Sequence, residues 1–170
     1  MVMKSASYRQ FRVGDLMDRV TVTHENFDVG AEYTALCESA PKSGAVVFFV
    51  GLVRDFYAEQ SASDKITHLE LEHYPGMTER LCEDIIDQAN QRYPFDQARV
   101  IHRVGKIAAT EQIVMVAVAS RHRENAFKAA QYIMDFLKTR ATFWKKEIGE
   151  RGEQWVSQKD KDLHALDRWS

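Results

Sequence analysis

The spacing of hydrophobic and polar residues divides this chain into segments with the periodicity of strands and of helices. Alternation, or a continuous apolar run rich in β-branched residues, predicts strands over residues 20–27, 44–53, 66–74, 98–107, 112–120, 143–148 and 153–158. Apolar residues three and four apart predict helices over residues 30–38, 78–93 and 124–139. The core-facing residues of the last helix are Ala126, Ala130, Ile133 and Leu137. The uninterrupted run 44–53 further predicts a strand buried on both faces.

The order of these segments predicts the fold class. The sequence β-α-β-β-α-β-β-α-β-β with a helical tail is typical of an α+β protein with a mixed or largely antiparallel sheet. Polar and small residues over 54–65 predict a loop. No linker or change of composition interrupts the chain, so we expect one domain over 1–170, with 1–16 as a flexible N-terminal extension.

Composition narrows the classes of function. The 170 residues include 23 Lys or Arg and 25 Asp or Glu, and this net charge of −2 argues against a general nucleic-acid binder. The longest apolar run, 44–53, is shorter than the roughly 20 residues that span a bilayer, and no secretory signal is apparent. Two cysteines, Cys37 and Cys82, are typical of a reducing cytosol, and we expect both to be core thiols. These observations predict a cytoplasmic protein with no membrane partner.

Positive charge is concentrated between Ser120 and Lys146. That segment contains seven Lys or Arg residues against Glu124 and Asp135. A solvated helix face is the ordinary explanation of such a run. Helical spacing, however, places Phe127, Gln131, Met134 and Lys138 on one stripe. On that mostly apolar stripe we expect the Lys138 ammonium to be partly desolvated, which lowers a lysine pKa and favours proton transfer or nucleophilic chemistry.

The segment after this helix carries a second candidate group. Strand alternation puts Phe143, Lys145 and Glu147 on one face and Trp144 and Lys146 on the other. Lys145 can then donate to a ligand from which Glu147 accepts. A surface salt bridge is the alternative explanation.

Two further stretches favour anion binding. Arg121, His122 and Arg123 stand at a strand-to-helix junction, where free helix N–H groups attract a phosphate, although a helix start can also simply be basic. Arg54 follows the end of the apolar strand, where side chains often reach a ligand crevice. His24, His68, His102 and His164 lack the spacing of metal ligands, so we assign no metal site.

Five stretches together resemble the large, catalytic subunit of molybdopterin synthase, in the same order and over about residues 17–169. They are GAVVFFVGLVRD, LELEHYPGMTE, VIHRVGKI, SRHRENAF and YIMDFLKTRATFWKKE. The resemblance implies a hammerhead-like α+β fold and a homodimer that binds two small ubiquitin-like subunits, forming a heterotetramer. It implies a sulfurtransferase that moves sulfur from the thiocarboxylated tail of the small subunit to cyclic pyranopterin monophosphate. The product is the dithiolene of molybdopterin, an intermediate of molybdenum cofactor biosynthesis, and no resident cofactor is implied.

The resemblance also implies the site residues. Lys138 and Lys145 match the lysines of the family pattern LKTRAPFWK and are the expected catalytic residues. The expected substrate-binding residues are Leu52, Val53, Arg54, His122, Arg123, Lys138, Lys145, Lys146 and Glu147.

Four positions depart from the family pattern. Leu52 replaces a lysine, Asp55 and Phe56 replace Asn-His, and Thr142 replaces a proline. The changes at Leu52 and Asp55 support an alternative function, that of a non-catalytic paralogue that binds a ubiquitin-like tail or an anion. An RNA-binding domain is disfavoured, because the rest of the chain is acidic and lacks aromatic stacking pairs.

Overall fold

The computed structural model describes residues 18–55, 66–149, 152–156 and 165–169. The strands in these ranges are β1 (Val20–Thr23), β2 (Ala45–Leu52), β3 (Ile66–His73), β4 (Gln97–Arg103), β5 (Gly105–Ala108), β6 (Gln112–Ser120), β7 (Phe143–Gly149) and β8 (Gly152–Val156). The helices are α1 (Val29–Ser39), α2 (Met77–Arg92), α3 (Arg123–Arg140) and a final 3₁₀ helix (Ala165–Trp169). The predicted extension 1–16, most of the predicted loop 54–65 and the end of the last strand fall outside the described residues.

The strands form two four-stranded sheets. The first has the order β1-β4-β6-β2 and the second the order β5-β3-β7-β8. β1 pairs with β4 in parallel, and the other pairs are antiparallel. Two sheets with three packed α-helices confirm the predicted α+β class and the mixed sheet.

The predicted strand 98–107 is in fact two strands in different sheets. β4 ends at Arg103 in the first sheet, and β5 begins at Gly105 in the second. Gly105 has φ +78°, and a Cβ added there would lie 2.6 Å from Nδ1 of His24. The turn between the sheets therefore requires glycine at this position.

β2 is less buried than its apolar run predicts. It lies at the edge of the first sheet and pairs with β6. All of its residues keep some solvent exposure, and Phe49 and Leu52 are 41% and 55% exposed. Both faces of β2 do pack on core residues, as predicted, but the open edge of the sheet leaves the strand incompletely buried. The packed residues are Ala45 and Val47 on one face and Val46, Phe48 and Val50 on the other.

The main core lies between the first sheet and helices α2 and α3. The residues predicted to face it from α3, Ala126, Ala130, Ile133 and Leu137, are all buried. Cys82 is buried in the same core, as predicted, whereas Cys37 is only half-buried. None of the helices in the described ranges is long and apolar enough to cross a membrane.

Candidate functional site

The path of α3 along the first sheet places the basic residues in two groups, one near each end of the helix. β6 ends at Ser120, opposite Ala45 at the start of β2, and Gln112 at its other end pairs with Leu52. α3 begins just after Ser120 and packs against both strands. Its first turn therefore lies near the start of β2, and its last turn lies toward the end that leads to Arg54.

A groove of about 800 Å³ lies at the first turn of α3. Its lining residues are Gly44, Ala45, Arg121, His122, Arg123, Glu124, Phe127 and Lys128. His122 is the N-cap residue, and its side chain makes no capping hydrogen bond, so the helix N–H groups stay available for an anion. Lys128 contacts Glu124 at 2.7 Å, and this pair raises the pKa of Lys128. The predicted cluster at the helix start thus lines a basic groove.

Lys138 lies in the last turn of α3, on the solvent-exposed side of the helix. Phe127, on the same stripe, is 62% exposed, and Gln131 is exposed as well. The prediction that this apolar stripe partly desolvates Lys138 is therefore wrong for the single chain. The core side of α3 is formed by the other apolar residues, so the stripe is a surface available to a partner.

β7 places Lys145 and Glu147 on one face, as the alternation predicts. Lys145 Nζ lies 3.6 Å from Glu147 Oε1. Glu147 is 8% exposed, and it pairs in register with buried Leu69, so its carboxylate lies at the edge of the core between the sheets. A largely buried carboxylate beside a half-exposed lysine differs from an ordinary surface pair, because the acid cannot reorient into solvent.

Lys146 lies on the opposite face of β7. Its Nζ contacts Glu70 of β3 at 3.1 Å and Glu153 of β8 at 2.9 Å, and it lies 5.4 Å from the ring centre of Trp155. Hydrogen bonds to Glu153 and Glu70 raise the pKa of Lys146. These contacts link three strands of the second sheet and face away from Lys145.

The three residues at the end of β2 have different surroundings. Leu52 and Arg54 are exposed, whereas Val53 is 4% exposed and packs in the core between the sheets. The Val53 N–H donates to Glu111 O, and the Val53 carbonyl accepts from Thr110 N–H. The geometry therefore leaves Arg54 and Leu52, rather than Val53, available to a ligand.

A single chain does not bring the predicted anion-binding residues together. The helical rise of about 1.5 Å per residue separates the Cα atoms of Arg123 and Lys138 by about 23 Å. The strand rise of about 3.3 Å per residue separates the two ends of β2 by a similar distance. Arg54 and Lys138 thus lie toward one end of the first sheet, and His122 and Arg123 lie toward the other.

Two contacts near the catalytic candidates were not apparent in the sequence. His102 of β4 stacks on Phe143 at the start of β7, with ring centres 3.8 Å apart and an interplanar angle of 15°. Thr78 of α2 contacts Thr142, just before β7, with their hydroxyl oxygens 2.9 Å apart. Both contacts join residues that are distant in sequence, and an alternating pattern such as VIHR gives no sign of them. Within the described ranges, no group of His, Cys, Asp or Glu is arranged to hold a metal ion.

Comparison with known proteins agrees with this fold. The profile of the family described as MoaE protein matches residues 22–140. The molybdopterin synthase catalytic subunit of Vibrio cholerae is 48% identical over 151 residues, 89% of this chain and 97% of that protein. The molybdopterin biosynthesis MoaE protein from Burkholderia ambifaria has a TM-score of 0.76 and 43% identity, covering 90% of this chain and 98% of that one. Molybdopterin synthase from Staphylococcus aureus has a TM-score of 0.75 and 30% identity, covering 84% and 99%.

The two-sheet α+β fold, with basic residues at both ends of α3, defines the class of this protein as an α+β domain with basic helix ends. The matches cover nearly the whole length of these relatives, so they assign the chain to one specific family. The chain belongs to the MoaE family, which confirms the resemblance seen in the sequence.

Proposed function

We propose that this chain is the catalytic subunit of a molybdopterin synthase and transfers sulfur from a protein thiocarboxylate to cyclic pyranopterin monophosphate. The observation that carries the proposal is the match to proteins of that name over nearly their full length, with both lysines of the family pattern present. The substrate is a phosphate and the sulfur donor is a carboxyl derivative, so both are anions that basic residues attract. Since the sulfur comes from the donor, the chain needs no cysteine nucleophile.

The two lysines have separate tasks in this reaction. Lys138 is the acid/base group, because it projects from the last turn of α3 into solvent, where substrate can reach it. Lys145 orients the thiocarboxylate, whose sulfur displaces an oxygen substituent of the pterin precursor. It then stabilises the oxyanion that develops when water attacks the carboxyl carbon and the carbon–sulfur bond breaks, which leaves the sulfur on the pterin and a carboxylate on the small subunit. Glu147, 3.6 Å from Lys145, holds that ammonium in place.

Phosphate binding falls to the basic residues Arg54, His122 and Arg123. The guanidinium groups supply charge-assisted hydrogen bonds, and the uncapped first turn of α3 adds N–H donors. These groups lie at opposite ends of one chain, however. A complete site that contains both Lys138 and Arg123 therefore needs a second copy of the protein.

The edge strand β2 offers a way to pair two copies. An edge strand presents unpaired N–H and C=O groups to another chain, and β2 carries the exposed apolar residues Phe49 and Leu52. A two-fold axis beside β2 and perpendicular to the sheet makes its two copies antiparallel, so the start of one strand lies beside the end of the other. His122 and Arg123 of the second copy then lie on the side of Arg54 and Lys138 of the first. A homodimer with two such shared sites follows.

The partner of each site is a small ubiquitin-like subunit that carries the sulfur. The relatives' description as catalytic subunits supports a further subunit, and the exposed stripe of Phe127, Gln131, Met134 and Lys138 offers it a surface. Two small subunits on one homodimer give a heterotetramer, and we place this assembly in the cytoplasm. Light scattering of the isolated chain at micromolar concentration tests the homodimer.

Reconstitution tests the function directly. The purified chain is incubated with thiocarboxylated small subunit and cyclic pyranopterin monophosphate, and dithiolene product is measured. Product that depends on all three components supports sulfur transfer. Binding of the small subunit without any product would instead favour the non-catalytic paralogue, with Leu52 and Asp55 as the departures that impair the pocket edge.

A further inference from the structure

The link between α3 and β7 sets the relation between the two lysines. It consists of Ala141 and Thr142, with Lys138 in the last turn before it and Lys145 in the strand after it. Ala141 is extended, with φ −68° and ψ 132°, and the Phe143 N–H donates to Ala141 O at 2.9 Å. This hydrogen bond closes a γ-turn centred on Thr142. Because β3 and β8 hold Lys145 from both sides, a change of one backbone angle in so short a link displaces the last turn of α3, and Lys138 with it, relative to Lys145.

A buried hydroxyl holds this link from the side of α2. Thr78 is fully buried in the first turn of α2, and its Oγ1 accepts from Tyr74 N–H at 3.1 Å. Its own proton is then directed to Thr142, whose Oγ1 lies 2.9 Å away and whose carbonyl oxygen lies 3.4 Å away. A buried hydroxyl proton that loses its acceptor is destabilising, so this contact resists opening.

We propose that Thr78 and Thr142 are positioning residues that fix the α3–β7 link and thereby hold Lys145 at its working distance from Lys138. The inference rests on the proposed sulfur transfer for its effect on rate. The contact itself is specific, since Thr142 is only half-buried and bonds to a partner in another element.

The geometry of the link identifies a substitution that replaces the hydroxyl contact. Among the described non-glycine residues, positive φ occurs only at Thr110, so the γ-turn at Thr142 is of the inverse type, with φ near about −75°. Proline fixes φ near about −65°, and the extended backbone of Ala141 suits a residue that precedes proline. In Thr142→Pro the proline ring therefore fixes the backbone conformation that the hydroxyl contact of Thr142 otherwise holds by hydrogen bonding.

Three substitutions at one position separate positioning from other effects. Thr142→Val keeps the β-branched shape and removes the hydroxyl, Thr142→Ser keeps the hydroxyl, and Thr142→Pro removes it while fixing φ. Thr67→Val is the matched control, because Thr67 also donates a hydroxyl to β7, at Ile148 O, but far from the link. Each variant is assayed as the full chain with thiocarboxylated small subunit, with kcat and KM for the pterin phosphate measured separately.

The expected result is a selective loss in the valine variant. Misplacement of a reacting group by about 1 Å can lower a rate by up to about a hundredfold, so kcat of Thr142→Val should fall about tenfold or more with KM unchanged. Thr142→Ser, Thr142→Pro and Thr67→Val should stay within about twofold of the parent. A valine variant with the parent's kcat, or a proline variant as slow as the valine variant, would overturn the proposal.

Amide hydrogen exchange tests the positioning claim without sulfur transfer. The Phe143 amide, which closes the γ-turn, should exchange faster in Thr142→Val than in the parent and should stay protected in Thr142→Pro. Equal protection in the valine variant overturns the positioning role whatever the activity. If the valine variant exchanges faster but the parent chain makes no dithiolene product, the positioning role stands and the proposed function is overturned.

Discussion

Arg123 and Lys138 belong to the same helix but lie at its opposite ends, with about 23 Å between their Cα atoms. Both are basic and exposed, and the sequence resemblance implies that both belong to the site. Their separation shows that a basic segment in the sequence is not yet a pocket in the fold. One ligand can contact both only where a second molecule supplies one of them.

Lys138→Ala should nearly abolish sulfur transfer and leave the fold intact. Loss of a positioned acid/base group typically lowers a rate by about 10²–10⁴-fold, and an exposed residue in the last turn of α3 contributes little to packing. Lys128→Ala is the control, since Lys128 is paired with Glu124 at the other end of the helix. Steady-state dithiolene formation measures both variants, and circular dichroism checks the fold. Near-full turnover in folded Lys138→Ala would remove this lysine from the mechanism.

Sulfate or phosphate should raise the melting temperature of the protein. A ligand that binds only the folded state stabilises it by about 2.7 kcal/mol at a hundredfold excess over Kd, and a bound dianion also relieves repulsion among the basic residues of the groove. Arg123→Ala should weaken this shift more than Lys128→Ala, because Glu124 already neutralises Lys128. Thermal shifts of equal size in the two variants would show a diffuse basic face instead of a site.

Stability should fall as the pH drops from 6.5 toward 4. Burial against Phe143 lowers the pKa of His102 from its ordinary 6.5 to about 4, with a smaller lowering effect from His73, while a bond to Arg103 O opposes the shift. In this window the unfolded chain binds a proton at His102 and the folded chain does not, so unfolding becomes more favourable as pH falls. The loss is at most about 3 kcal/mol, and less to the extent that the side chain is exposed.

Urea unfolding between pH 4 and pH 7 measures this effect. His102→Phe keeps an aromatic ring against Phe143 and removes the titration, so its free energy of unfolding should depend less steeply on pH than that of the parent. His68→Gln, in β3, should keep the parent's slope. An unchanged slope in His102→Phe would show that another group causes the acid sensitivity.

The two cysteines should differ in reactivity. Burial, followed by the charges of Glu79 and Glu83, raises the pKa of Cys82 to about 12. At pH 8 its thiolate fraction is then about 10⁻⁴, and the thiolate is the reactive form. Mass spectrometry after iodoacetamide treatment of the folded protein should find Cys37 modified well before Cys82. Modification of both at one rate in the folded protein would contradict the buried position of Cys82.

The sequence predicts the elements well because their signals are local. Helical spacing identifies the buried side of α3 through Ala126, Ala130, Ile133 and Leu137, and alternation puts Lys145 and Glu147 on one face of β7. The change of sheet at Gly105 is missed, because the apolar pattern of β4 continues through it into β5. Likewise, the edge position of β2 depends on its neighbours rather than on its own residues.

The candidate site is predicted in its residue types but not in its arrangement. The antiparallel pairing of β2 with β6 determines which end of β2 lies near which end of α3. No local sequence pattern contains this pairing. The contact between Thr78 and Thr142 joins residues 64 positions apart. Lys146 has the right charge for substrate binding, but the alternation already places it on the other face, where Glu70 and Glu153 hold it.

Activity of mixed dimers tests most directly whether sulfur transfer occurs at a site shared by two copies. Lys138→Ala and Arg123→Ala chains with different affinity tags are co-expressed, and the dimer that carries both tags is isolated. If each site takes Lys138 from one copy and Arg123 from the other, one site of the mixed dimer carries both substitutions. The other site has an intact Lys138 and an intact Arg123. The mixed dimer should therefore recover about half of the parent's dithiolene formation, far above either variant alone. Activity no higher than the mean of the two variants would contradict the shared site.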